Sequence, residues 1–318
     1  MNKNLIQAIE KLSKRSNLKE LVQARDTLTK KYRDEERHGK AKAFMDSDEA
    51  RISYLNTRFP ATYAAIESIL EKIKNQIPEL FLETMTDLGA GPGTAFFATI
   101  AYFPIQKAFL VEQDKELIRL GKMLEESLEI KLAAWQPGNL QEIQAFPTAD
   151  LVIASYSLNE LESAARSAFI KKTWNAANKI LLIVEPGSRQ GFSLIKEARE
   201  QLISLGAKMV APCPHELCCP MPENDWCHFS KRVNRSSMHR QLKSASLGYE
   251  DEKFSYIAVS KETAALPNAR ILHSPEKHSG HLLLTLCTKQ EGIIKKTRSK
   301  KDGAIYKAAR KLEWGDSI

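Results

Sequence analysis

The spacing of apolar residues changes character near residue 80. Before it, apolar positions recur at helical intervals among many charges. Residues 18–33 read as an amphipathic helix, followed by the charged run Arg33-Asp34-Glu35-Glu36-Arg37-His38. Asp46 to Glu49 offer capping chemistry ahead of residues 50–55. Pro60 is read as the start of a further helix, with Ala61, Tyr63, Ala64, Ile66, Ile69, Leu70 and Ile73 on one face and Pro78 ending it. Beyond Phe81 short, continuously apolar runs alternate with helical patterns. The runs lie at residues 84–88, 108–112, 131–135, 150–155 and 180–185, with helices such as 115–128 and 161–177 between them. Strands of that kind between helices argue for a parallel sheet covered on both faces. A helix over 191–205 follows, and two later runs, 254–259 and 281–287, would complete a doubly wound, seven-stranded Rossmann-like sheet with its last strand antiparallel. Residues 209–250 would then be an insertion between strands five and six.

The expected organisation is a helical region at 1–80, an α/β domain at 81–290 and a basic tail at 291–318. The totals fit it: 318 residues, 43% apolar, can hold a sizeable core. The formal net charge of +8 gains meaning from its distribution, because nine Lys and Arg residues fall after residue 288, with Tyr306 and Trp314 among them. That clustering suits contact with phosphates. No apolar signal region follows Met1, and no window approaches the ~18–20 apolar residues of a membrane span. A monomeric, cytoplasmic protein with no membrane partner is the expectation. In that compartment five cysteines, four of them between Cys213 and Cys227, point to metal or cluster binding rather than disulfides.

The chemistry concentrates first at Asp87-Leu88-Gly89-Ala90-Gly91-Pro92-Gly93-Thr94. A buried strand ends in a glycine turn that opens a helix, the setting of a nucleoside-bearing cofactor. The spacing is G-x-G-x-G, not the G-x-G-x-x-G of dinucleotide folds, and no Gly-Lys-Ser/Thr follows as a P-loop needs. It resembles motif I of class I S-adenosylmethionine-dependent methyltransferases. Gly89, Gly91 and Gly93 would let the ligand approach the backbone, and Asp87 would hold the loop or meet the cationic end of the cofactor. Glu112, 23 residues after Gly89, could accept ribose hydroxyls. Asn139 is positioned for an adenine contact, and Ser155 and Tyr156 for the methyl group. The loop Ser155-Tyr156-Ser157-Leu158-Asn159-Glu160 lacks both the Asn/Asp-Pro-Pro-Tyr/Phe of amino-group methyltransferases and a Pro-Cys nucleophile. Cofactor binding is therefore better supported than any particular methyl transfer.

The second concentration is Pro212-Cys213-Pro214-His215, Cys218-Cys219-Pro220 and Trp226-Cys227-His228. Thiolates among prolines resemble a preorganised soft-metal site. Cys218 and Cys219 diverge as neighbours, so one of them faces away. Cys213, Cys219 and Cys227 need a fourth ligand. Cys287, at the end of the last strand, is expected beside strand five and close to the insertion; His215 or His228 could serve instead. Four thiolates suit zinc or a [4Fe–4S] cluster, and the lack of a C-x-x-C pair weakens a zinc ribbon.

Together with Val184-Glu185-Pro186-Gly187 and Tyr249-Glu250-Asp251-Glu252-Lys253-Phe254-Ser255-Tyr256, these stretches resemble the Rsm-type methyltransferase-like family over most of residues 50–315. The resemblance implies a class I methyltransferase fold and binding of small-subunit ribosomal RNA during assembly. It also implies a [4Fe–4S] cluster, whose ligands would be Cys213, Cys219, Cys227 and Cys287 here. Mitochondrial members resemble assembly factors more than enzymes, and a chain without a long targeting region would be a bacterial relative.

Overall fold

The computed structural model describes residues 1–13, 17–33 and 45–318. The charged run at 34–38 lies outside them. Two helices, α1 (Lys3–Ser13) and α2 (Leu18–Arg33), precede α3 (Asp48–Gln76). Ser47 caps α3 by accepting the Ala50 N–H, and Asp48 and Glu49 in its first turn favour the positive end of its dipole. The two helices expected on either side of Pro60 are one. A proline gives up a single backbone donor, and buried residues continue from Ala50 to Ile73, so packing carries the helix through.

The central sheet grows from β1 (Thr84–Leu88), α4 (Thr94–Thr99), β2 (Lys107–Glu112), α5 (Lys115–Ser127) and β3 (Ala133–Pro137). Next come β4 (Ala149–Ser155), α6 (Ser163–Ala176), β5 (Ala177–Pro186), α7 (Arg189–Ser204) and β6 (Lys208–Ala211). Then β7 (Phe229–Asn234) and α8 (Ser237–Leu242) lead into the long β8 (Tyr249–Ser260). The order is β3-β2-β1-β4-β5-β8-β6, with β8 antiparallel to both neighbours and β7 paired along its first half. One reversed strand slotted in before the last is the class I methyltransferase arrangement. The chain leaves β1 toward β2 on one side and returns to β4 on the other, so the carboxyl ends of β1 and β4 form the switch point where doubly wound sheets bind ligands. Alternate residues of β4 serve opposite cores: Leu151 and Ile153 pack in one, Val152 and Ala154 in the other.

Two expectations need correction. Strand six is the short β6 directly after α7, and the run at 254–259 belongs to the reversed strand β8. The cysteine segment is thus inserted between strands six and seven, not five and six. The run at 281–287 is not in this sheet at all. It forms β11 (His281–Thr288) of a second, antiparallel sheet with β9 (Ala269–Ile271), β10 (Glu276–Lys277) and β12 (Gly292–Ser299). β12 and the closing helix α9 (Gly303–Ala309) occupy the span expected as a basic tail. β6 is only four residues long and Phe254 to Val259 is strongly apolar, so periodicity alone favoured the longer run. The small sheet has its own apolar core of Ile271, Leu282, Leu284, Leu286, Tyr306 and Ala309. Among the described residues no helix is long and apolar enough to cross a membrane.

Candidate functional site

The turn after β1 is held by backbone and by one carboxylate. The Gly89 and Ala90 N–H groups both donate to Val111 O, at 2.9 and 3.0 Å. Glu112 accepts the Gly91 N–H on one oxygen and the Asp114 N–H on the other, each at 2.8 Å. Gly89, Gly91 and Gly93 all take positive φ, at 73°, 54° and 83°. A Cβ on Gly89 would also stand 2.9 Å from Ser157 Cβ, so both conformation and space require glycine there.

Buried acids surround the turn. Asp87 is fully buried, and neither of its oxygens has a hydrogen-bond partner of good geometry. Burial pushes its carboxyl up to about 7; the nearby Phe96 amide offsets this only in part, and Glu112 adds to it. Burial also raises Glu185 to about 8, although the Leu158 N–H donates to it at 2.8 Å, and raises Glu160 to about 8 with help from the Glu112 charge. Burial lifts Glu112 as well, against the amides it accepts. Thr94 Oγ1, Ser157 Oγ, Asn159 Oδ1 and one Glu185 oxygen are buried without partners. Orphaned polar atoms around several repelling carboxyls describe a site that suits a ligand carrying hydroxyls and positive charge.

Helix α3 adds side chains that sequence reasoning missed. Tyr54 hangs over the turn, its hydroxyl 3.9 Å from where a Gly91 Cβ would lie, and it feels the charges of Asp87, Glu112 and Glu160. One turn on, Arg58 pairs with both Glu252 oxygens at 3.1 and 3.2 Å. Tyr156 donates to the same carboxylate at 3.1 Å, and the guanidinium lies 5.8 Å from its ring. Tyr156 holds φ +58°, rare for an aromatic residue, and burial raises its hydroxyl well above the usual range. The i, i+4 spacing of Tyr54 and Arg58 was the available signal. Ser155 stands half-buried at the end of β4. Asn139 lies in the turn after β3, where its side chain accepts the Gln141 N–H at 3.0 Å and donates to Glu142 at 3.1 Å.

The cysteines gather elsewhere, beyond β6. Cys213, Cys219, Cys227 and Cys287 line one cavity of about 40 Å³, with His215, Arg199 and Arg270 in its wall. A water needs only some 10–15 Å³, so these side chains surround open space. Cys287 comes from the second sheet, 3.5 Å from His215 Nε2. His228 is turned away, stacked on Trp226 with ring centres 5.1 Å apart. Cys218 is exposed, as divergence from Cys219 requires. Burial and mutual repulsion push the Cys227 thiol well up, and burial pushes Cys287 up to about 12. Among the described residues no group of three or more His, Cys, Asp or Glu is arranged to hold a metal ion as it stands. The donor chemistry nonetheless fits a soft thiolate-bound centre, since one buried and three half-buried thiols line one space and each ionised sulfur would need a cation to offset its neighbours.

The basic residues of β12 do not form one stripe. Opposite-face alternation puts Lys296 and Arg298 with Ile294 on the side of a larger cavity beneath α9, while Ile293 of the other face reaches the cysteine cavity.

The sequence matches the family described as Mitochondrial small ribosomal subunit Rsm22 over residues 48–318. A human relative, "Ribosome assembly protein METTL17, mitochondrial", is 25% identical over 289 residues, covering 84% of this chain and 62% of its own length. "Rsm22-cox11 tandem protein 2, mitochondrial" of Schizosaccharomyces pombe is 24% identical, covering 85% of this chain and 43% of its own. The chain thus spans about half the length of these relatives. Among solved structures, the plantazolicin methyltransferase BpumL is 13% identical with a TM-score of 0.43, over 77% of this chain and 98% of that one. At that score the likeness carries no weight, and the fold rests on the strand order above.

Proposed function

Since the chain belongs to the Rsm22 family, we propose that it is a methyltransferase-like protein that acts on the small ribosomal subunit during its assembly. It binds S-adenosylmethionine at the glycine turn and a [4Fe–4S] cluster on Cys213, Cys219, Cys227 and Cys287, and it meets ribosomal RNA through basic residues of its C-terminal segment. The observation that carries this reading is the convergence of four cysteines from separate segments on one cavity, in a chain whose other site suits a cationic nucleoside. Gly89, Gly91 and Gly93 hold the turn open to backbone contact, and Asp87, Glu160 and Glu185, which burial keeps protonated in the free protein, could ionise to meet a sulfonium and an ammonium group. Glu112 already braces the turn through Gly91, so its free lone pairs are what remain for ribose hydroxyls. When bound, the cofactor supplies an electrophilic methyl group. Tyr156, tied to Glu252 and Arg58, stands where an acceptor would approach, which favours a binding role over turnover.

Three measurements test this. Calorimetry is expected to show S-adenosylmethionine binding, and no heat at millimolar cofactor would sink that assignment. Anaerobically purified protein is expected to contain iron and sulfide and to absorb near 400 nm; stoichiometric zinc without iron would replace the cluster with a structural zinc. Labelled cofactor incubated with immature small subunits is expected to leave them unlabelled, and transferred label would make the protein an active RNA methyltransferase.

A further inference from the structure

Among the described residues, two arginines in the wall of the cysteine cavity have no acid to pair with. Arg199, on α7, is 3% exposed and Arg270, on β9, is 2% exposed. Arg199 donates through one nitrogen to the His215 and Leu217 carbonyls at 2.9 and 2.7 Å, while its Nε has no partner. Arg270 donates to the Pro212 carbonyl at 2.8 Å and the Gly315 carbonyl at 2.9 Å. Every one of these acceptors is a neutral backbone oxygen. Among the described residues neither guanidinium joins a salt bridge, and of the arginines that share this only Arg166 is comparably buried, away from this cavity.

Buried charge without a counter-charge is costly. Two such charges of like sign in the wall of one cavity make each other worse. The acidic groups that face them across the cavity are the thiols. Four thiolates around a core of two positive charges carry a net charge of two minus, and two guanidiniums cancel it. The cations come from opposite sides, one from the main domain and one from the small sheet, as the thiols do.

We infer that Arg199 and Arg270 are the built-in counter-ions of a dianionic, thiolate-bound metal centre in this cavity, positioning residues that hold the centre by charge. The inference rests on the metal-centre reading above. It also assigns a job to the two carbonyl forks. They fix the guanidiniums in place and spread them across the loop that carries Cys213, so the charge is oriented before the metal arrives.

Charge and hydrogen bonding can be separated by substitution. Arg199→Lys and Arg270→Lys keep the charge and lose the fork; Arg199→Gln and Arg270→Gln keep donors and lose the charge. The five proteins are purified anaerobically and challenged with a chelator, and bound iron, sulfide and zinc are followed over time, with circular dichroism reporting the fold. The Gln variants are expected to fold but to hold metal about 10- to 100-fold more weakly, the effect of losing a supporting contact around a metal. The Lys variants are expected to stay close to the parent protein. If the Gln variants retain metal as well as the parent, or if the Lys variants lose it equally, the counter-ion role is overturned and the arginines serve only as carbonyl clamps. A parent protein with neither iron nor zinc overturns the metal-centre reading itself, a result distinct from either of those.

Discussion

Raising the pH from about 6 to about 8.5 is expected to lower the melting temperature of the ligand-free protein, on the order of 10 °C if Asp87, Glu185 and the half-buried Glu160 all lose their protons in that window. In the folded chain burial places Asp87 near 7 and Glu160 and Glu185 near 8, far above their ordinary 3.8 and 4.5. The folded state therefore keeps these protons where the unfolded chain has released them. Their contribution is fully present below about pH 4 and is lost as the pH rises through the folded values. A tenfold difference in proton affinity between the folded and unfolded chain is worth about 1.4 kcal/mol, so the three together amount to several kcal/mol even after mutual coupling. Two controls separate the cause from general alkaline weakening. Asp87→Asn should flatten the profile and be more stable than the parent at the alkaline end. Saturating S-adenosylmethionine should flatten it too, because a bound cation stabilises the ionised carboxylates. A profile with the same slope in all three cases would show that these acids neither titrate in this window nor face the cofactor.

An alanine at Gly191 is expected to cost more than about 3 kcal/mol and to leave little soluble protein, since overpacking against fixed backbone sits at the severe end of single substitutions. A Cβ there would lie 2.0 Å from the Pro186 carbonyl oxygen. Helix α7 begins almost on top of the strand that precedes it, and Ser188 caps it by accepting the Gly191 N–H. Gly187 is nearly as confined, because its Cβ would meet the Lys253 and Phe254 backbone at 2.7 Å. It also donates its N–H to Lys253 O at 3.0 Å and accepts Trp226 Nε1 at 2.9 Å. The short stretch after β5 thus ties the central sheet to the segment that carries Cys227. Gly248, with no described residue within 4 Å of its Cβ position and no positive φ, is the control. Alanine there should stay within about 0.5–1 kcal/mol of the parent in urea midpoints. Comparable losses at both glycines would refute the steric argument.

The first five strands were legible because each is a compact apolar run ended by a turn residue or a charge. The strand after α7 was not: Lys208 to Ala211 is too short to compete with the apolar run of β8. That misreading moved the insertion and placed β11 in the wrong sheet. The glycine turn could be read because glycine spacing and a strand-end acid are local in sequence. Tyr54 and Arg58 could not, because what brings them to the turn is a helix crossing from about 30 residues earlier, and helical spacing alone does not say which face meets which partner. Cys287 lines the same cavity as Cys213, Cys219 and Cys227, but not by the route expected. It reaches Cys213, Cys219 and Cys227 from the small sheet, not from beside β5.

That position gives β11 a demanding task. Leu286 enters the core under α9, and the next residue, Cys287, enters the cysteine cavity on the opposite face. A strand has a period of two, so a slip of one residue against β12 exchanges the two faces. Leu286 would then be turned toward the thiols and Cys287 toward the aliphatic core. The fourth thiol is delivered only when Cys287 stands opposite Ile293 and Leu286 opposite Ile294. Completion of the cavity thus depends on strand register: only the correctly paired hairpin brings Cys287 to the other three cysteines.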